Sequence, residues 1–401
     1  MTKSNLPEEL NQAMNAVLDE FLERPRSIFD NKKATSIYKY QAENRFRKLK
    51  MNNTCIVRYC GNRSIENSHT IQKNGPLKEL AENGHLLTPS FSEKTGKIEL
   101  TKIGVNEAST FPGFCSEHEQ MFFSFEQTKS FKEDGHIALQ LYRTVCREIF
   151  INKTQVDRLH YYIEAYKVFR NQQIRESVMR NIPSNRREDP SLKFNNLKIT
   201  SDDNMLRLTN LEIKKLKKNL NFLVKYEEAI LDDLSKKKFR KLAYIAIEFD
   251  KPIPVALAGK GNFVVRTKTK DKNIDIVFNS LPVQGRTYIF LTSLRKFEKQ
   301  IRWYADRFRE SISIVNLIEI WMIHASDHWF IKPSIWASLN IEVQEILLTR
   351  LFDSTFNAGN HLPVTIFKEL KGEIITSWEE KYHELSSEEK ILLAVEKEKL
   401  Q

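Results

Sequence analysis

Only four cysteines occur among 401 residues, too few to build a disulfide framework in a chain of this size. Long apolar runs are missing as well. No window approaches the ~18–20 consecutive apolar residues of a membrane span. The first ten residues, Met1 to Leu10, carry acids and no apolar core, so no secretory signal is expected. Internal repeats and low-complexity segments are also lacking, which sets aside solenoid and linker-rich architectures. A cytoplasmic location with no membrane partner is the resulting expectation. In such a reducing compartment, paired cysteines favour a metal over a disulfide.

What is present is a soluble composition, 41% hydrophobic and 29% charged, in a chain long enough for two or three cores. The net charge of +11 is unevenly spread. Residues 21–50 hold nine Lys/Arg against three Asp/Glu, and residues 251–310 hold thirteen against five. Residues 371–401 reverse the balance, five against eight. Two basic blocks without a membrane signal point to a polyanion, of which nucleic acid is the commonest. A solvated basic surface is the plainer alternative. Composition leaves the choice between DNA and RNA open, and the oligomeric state with it.

Periodicity organises the chain. Helical spacing over 6–24 and 33–50 gives an N-terminal helical segment, 1–50. Residues 51–125 are rich in turns, with strands expected at 85–91 and 97–103. A helical region, 126–240, contains a polar, proline-bearing linker near 181–203 and an amphipathic helix over 204–238. The period then falls to two, and 241–293 reads as a small antiparallel sheet with strands at 244–249, 262–266, 274–278 and 287–291. Residues 294–401 return to helix, and Ser386 with Glu389 forms a capping box. The expected fold class is α+β, mostly helical.

Three of the four cysteines fall in two short pairs, Cys55-x4-Cys60 and Cys115-x2-His118. Zinc takes four soft or borderline ligands in a tetrahedron, most simply from two such pairs on tight turns. The remaining Cys146 lies in an apolar helical stretch and reads as core. Between the pairs stands Asn67-Ser-His69-Thr-Ile71.

The order of these elements resembles the zinc-stapled branch of the HNH nucleases: a cysteine knuckle, Ser-His-Thr-Ile, an asparagine, then C-x-x-H and an acid. The resemblance covers roughly 70 residues and implies a treble-clef module at 51–125. It implies His69 as general base and Asn106 as the residue orienting it. Glu119 stands where that family places a metal-binding histidine, and a carboxylate there suits magnesium or manganese. Three departures accompany it: a first pair spaced by four, a long loop after His69, and that carboxylate. The stretch Ala108 to His118 also resembles one found in bacterial proteins, which implies a bacterial source. Two other uses of the module stay open, a finger that binds nucleic acid without cutting and a staple in an interaction protein, such as one for phage defence or stress response.

Two further patterns carry chemistry. His324-Ala-Ser-Asp327-His328 puts two histidines at i, i+4, but the tryptophans around it favour a packed corner over a metal site. In 295–309, Phe297, Ile301, Tyr304 and Phe308 form one apolar stripe. Arg302, Arg307 and Arg309, together with Lys268 and Lys270, remain for phosphates.

Overall fold

The computed structural model describes residues 8–23, 33, 53–92, 97–128, 131, 133–187, 203–266, 271–351, 353 and 355–400. The fold is α+β and mostly helical. The chain divides into one unit of residues 1–53 and 151–221 and a second of 54–150 and 222–401.

In the first unit, helix α1 (Glu8–Glu23) buries Ala13, Val17 and Phe21 with Val156, Ile163, Phe169, Val178, Leu206 and Ile213. The 3.6-residue spacing of its apolar positions makes that stripe. Asp203 caps the helix Asn204–Lys236 through Leu206 N–H at 3.0 Å, and its other oxygen accepts from Arg170 and Tyr166. Most of the basic block 21–50 lies outside the described residues.

The second unit is organised on a seven-stranded antiparallel sheet. The strands are β2 (His85–Ser92), β3 (Lys97–Gly104), β5 (Leu242–Phe249), β6 (Val255–Arg266), β7 (Asp271–Val283), β8 (Arg286–Leu294) and β9 (Trp329–Ile331), in the order β3-β2-β9-β6-β7-β8-β5. Two short strands, β1 (Ser68–His69) and β4 (Thr110–Phe111), pair apart from it. The four strands expected over 241–293 are all present and are longer than their alternating cores suggested. Three more strands join them, two from the cysteine-bearing segment and one from the expected packed corner.

The central strands exceed their alternating cores because both their faces are covered. Along β7, Ile274, Ile276 and Phe278 join the core formed with the C-terminal helices, and Phe278 stacks on Trp321 at 4.5 Å. Asn279, next along the strand and on its other face, meets Gln140 and Thr144 of the long helix Asp134–Asn181. A strand buried on both faces reads as a continuous run, not as an alternation. Gly259 and Gly261 obscured β6 in the same way, since glycine weakens a strand signal. A Cβ at Gly261 would lie 2.6 Å from the Trp321 ring, so the close approach of helix Ser311–His324 requires the bare backbone.

That helix stops at His324, and the chain turns into β9. His324 and His328 therefore do not share a helix face. His324 stacks on Phe356 and His328 faces the sheet. The stripe Ile301, Tyr304 and Phe308 is buried and Phe297 is half-buried, as expected of core. Cys146 is likewise fully buried.

The C-terminal helices Lys368–Glu380 and Ser387–Leu400 are held by a buried charge network. Lys371 Nζ donates to Glu319 at 2.7 Å and Glu396 at 2.9 Å, and all three side chains are at most 1% exposed. Glu319 also accepts from the main-chain N–H of Ile366 and Phe367. Lys371→Met strands Glu319 without a counter-charge and leaves Glu396 with Lys399 alone at 2.6 Å, and urea unfolding at neutral pH should register a loss of about 3–5 kcal/mol. Burial alone would raise the Glu396 carboxyl, but Lys371 and Lys399 hold it below the ordinary 4.5. The native state therefore binds fewer protons here than the unfolded chain. This stability is present above that value and is lost as pH falls through the depressed native one. Acid unfolding curves of the Lys371→Met variant should show less of that loss.

Candidate metal centre

The first pair sits on a tight knuckle. Thr54 bridges Arg63, Cys55 N–H donates to Asn62 O at 2.8 Å, and Cys60 N–H donates to Val57 O at 3.1 Å. The turn closes with Tyr59 in the left-handed region at φ 62°. Arg58 fastens the knuckle to Glu227 and Glu228 at 3.5 and 3.0 Å. Cys115 precedes the short helix Ser116–Glu119, whose last residue returns an N–H to the Cys115 carbonyl at 2.9 Å. Ile56 and Ile65 N–H donate to Gly113 and Phe114 carbonyls at 2.7 Å, which lays the two pairs side by side.

The ligand atoms of Cys55, Cys60, Cys115 and His118 all lie within 4.8 Å of one another. Individual separations are 3.2 Å from Cys115 Sγ to His118 Nδ1, 3.6 Å from Cys55 Sγ to the same nitrogen, and 4.0 Å from Cys60 Sγ to Cys115 Sγ. Zinc bonds of about 2.3 Å to sulfur and 2.0–2.1 Å to nitrogen put tetrahedral ligand atoms roughly 3.5–3.8 Å apart. The donor set and spacing fit zinc in a closed structural site. All four cysteines are free thiols.

Electrostatics tells the same story. Burial pushes the Cys55 thiol up to about 11. At Cys115 burial works the same way, but the His118 N–H and the neighbouring thiols and imidazole outweigh it and bring the thiol down to about 6. A cluster of thiols shares one negative charge readily and three only around a cation.

The other expected site residues are placed as follows. His69 on β1 is half-buried, and its Nδ1 donates to the Ala108 carbonyl at 3.0 Å. Desolvation, then the charges of Arg143 and Lys73, lower its pKa to about 4. Asn106 lies exposed in the turn between β3 and β4, so a main-chain carbonyl, not Asn106, orients the imidazole. Glu119 accepts from the fully buried Arg143 at 2.9 Å. Burial lifts its carboxyl against that guanidinium. Arg143 is thus the group that faces both His69 and Glu119. Among the described residues the thiol–imidazole cluster is the one grouping of three or more metal-ligating side chains. Glu119 Oε1 is held by Arg143, and among the described residues no second carboxylate or histidine groups with it as a metal site.

Arg302 and Arg309 are exposed and pair with Glu298 and Asp306 at 2.9 and 2.8 Å. Arg307 lies 5.9 Å from the Trp303 ring centroid. Lys268 and Lys270 lie outside the described residues.

Sequence reasoning missed two anchors. Arg143 reaches Glu119, Glu126 at 2.7 Å and the face of Phe122 at 4.0 Å, and its only signal was an arginine within an apolar helical run. Ser109 Oγ accepts from Ile71 N–H at 2.9 Å and bonds His328 Nε2 at 3.1 Å, while His328 Nδ1 donates to Ala258 O at 2.7 Å. Burial keeps His328 neutral, as this chain of bonds requires.

No protein-family model, curated protein or solved structure matches the chain. No described helix is long and apolar enough to cross a membrane.

Protein made without added metal should carry about one zinc per chain by elemental analysis. Cys115→Ser should lose it and unfold or aggregate, because zinc contributes directly to folding such modules. Full folding with no zinc would exclude the assignment.

Proposed function

We propose that this chain is a zinc-stapled protein that acts on nucleic acid by binding it, with a treble-clef-like module around the zinc. The exposed basic strip of residues 295–309 carries this reading, with six Lys/Arg against two Asp/Glu. Its ion pairs are on the surface, so arginines can exchange exposed carboxylates for phosphates at little cost. Each phosphate contact releases counterions, which gives affinity a steep salt dependence.

A second reading, an HNH-like endonuclease, is favoured by one observation at His69. With Nδ1 donating to Ala108, the tautomer leaves Nε2 unprotonated, and a pKa of about 4 keeps the ring neutral at physiological pH. A neutral imidazole so oriented can take a proton from an attacking water. Glu119 in the hold of Arg143 weighs toward binding without cutting.

Charge reversal at Arg302, Arg307 and Arg309 should weaken binding and flatten the salt slope by roughly one unit per lost contact. Incubation with DNA and RNA across magnesium and manganese should leave the strands intact. Cleavage by wild type, flat above about pH 5 and lost in His69→Ala with zinc content unchanged, would instead establish the endonuclease. No binding at low salt would overturn both.

A further inference from the structure

Among the described tryptophans, Trp321 and Trp329 are fully enclosed, Trp336 is 8% exposed and Trp378 is partly buried. Trp303 is 52% exposed. It projects from the exposed side of helix Glu298–Ala305, whose Ile301 and Tyr304 are buried in the core. An isolated exposed apolar side chain is ordinary. The surroundings of this one are not.

One face of the indole is backed by Phe263, whose ring is offset-stacked at 6.2 Å and 28°, and Phe263 is itself stacked on buried Tyr304 at 4.4 Å. Tyr304 is fixed in turn by donating to the Ala358 carbonyl at 2.7 Å and accepting from Trp321 Nε1 at 3.1 Å. The exposed ring therefore stands on a rigid aromatic base. Arg307, one turn on, places its guanidinium over the ring 5.9 Å from the centroid, where an incoming base can displace it towards phosphate, and Arg302 and Arg309 follow the same helix at 63% and 71% side-chain exposure. Towards the start of the helix, Lys272 and Lys296 each place an ammonium 4.9 Å from the half-buried Phe297 ring.

We infer that Trp303, with Arg302, Arg307 and Arg309, is a stacking platform for single-stranded nucleic acid. This rests on the reading that the chain binds nucleic acid, and it names the form bound. A duplex hides its base faces and offers only phosphates to this surface. An unpaired strand offers both a π face for the indole and phosphates for the arginines. An acidic protein surface would satisfy the arginines and leave the indole without a partner.

The test uses the full chain and fluorescein-labelled oligo(dT) and oligo(rU) of about 20 nucleotides, a mixed-sequence duplex of similar length, and poly-glutamate as competitor. Fluorescence anisotropy is read at several salt concentrations. Single strands should bind more tightly than duplex and resist poly-glutamate. Trp303→Ala should weaken single-strand binding roughly 5- to 100-fold without changing the salt slope, and Trp303→Phe should restore much of it. Arg302→Gln/Arg307→Gln should instead flatten the slope by roughly 0.7 per contact removed. Zinc content and unfolding midpoint show that each variant is folded. If Trp303→Ala binds like wild type, if duplex is preferred, or if poly-glutamate competes equally, the platform is wrong while binding of nucleic acid stands. If wild type binds no probe at low salt, both fall together.

Discussion

Burial of β6 and β7 on both faces is the constraint from which the rest of the larger unit follows. A strand with no solvent face needs apolar partners above and below, and the chain supplies them from distant segments. Helices Glu298–Ala305 and Ser311–His324 cover one side, where Trp321 stacks on Phe278 of β7 and Tyr304 on Phe263 of β6. The opening turns of the helix that starts at Asp134 cover the other, where Gln140 and Thr144 satisfy Asn279. That same helix carries Arg143, and Arg143 holds the segment that follows the second zinc pair. The metal centre is therefore aligned by the sheet's need for cover.

Two kinds of polar burial do different work here. The Glu319–Lys371–Glu396 network encloses charges that satisfy one another, and it specifies how two terminal helices meet. The thiol cluster encloses donors that repel when all are ionised, so its geometry has meaning around a cation. Arg143 lies between these cases. Its two carboxylate partners are only half-buried, and its charge is felt at His69, which it helps to keep neutral.

The local elements were largely legible in the residues. Cysteine and histidine spacing picked out the four side chains that converge, because coordination chemistry restricts both residue type and separation. Helical and strand periods located most elements, and the Ser386–Glu389 capping box forms with reciprocal bonds of 2.6 and 3.2 Å. Long-range assembly was not legible. Nothing in Trp329–Ile331, three residues inside an aromatic stretch, announces a strand, since its partners lie more than 60 residues away along the chain. The i, i+4 histidines looked helical because the break after His324 carries no glycine or proline. Trp303 and the apolar stripe share one helix, and only their burial separates the exposed ring from the core ones.

The position of β9 between β2 and β6 has a consequence for synthesis on the ribosome. Leu87 pairs with Ile331, and Ser109 bonds His328, 219 residues later. At about 5–20 residues per second, roughly 10–45 s separate the emergence of these partners. The cluster of Cys55, Cys60, Cys115 and His118 needs nothing beyond residue 118 and is complete early in that interval. Over the same interval β2 has an open hydrogen-bonding edge, the condition under which strands of neighbouring nascent chains find each other. The final closure is made by three residues entering late between two waiting strands, so crowded translation is the moment at which this chain is most exposed to error.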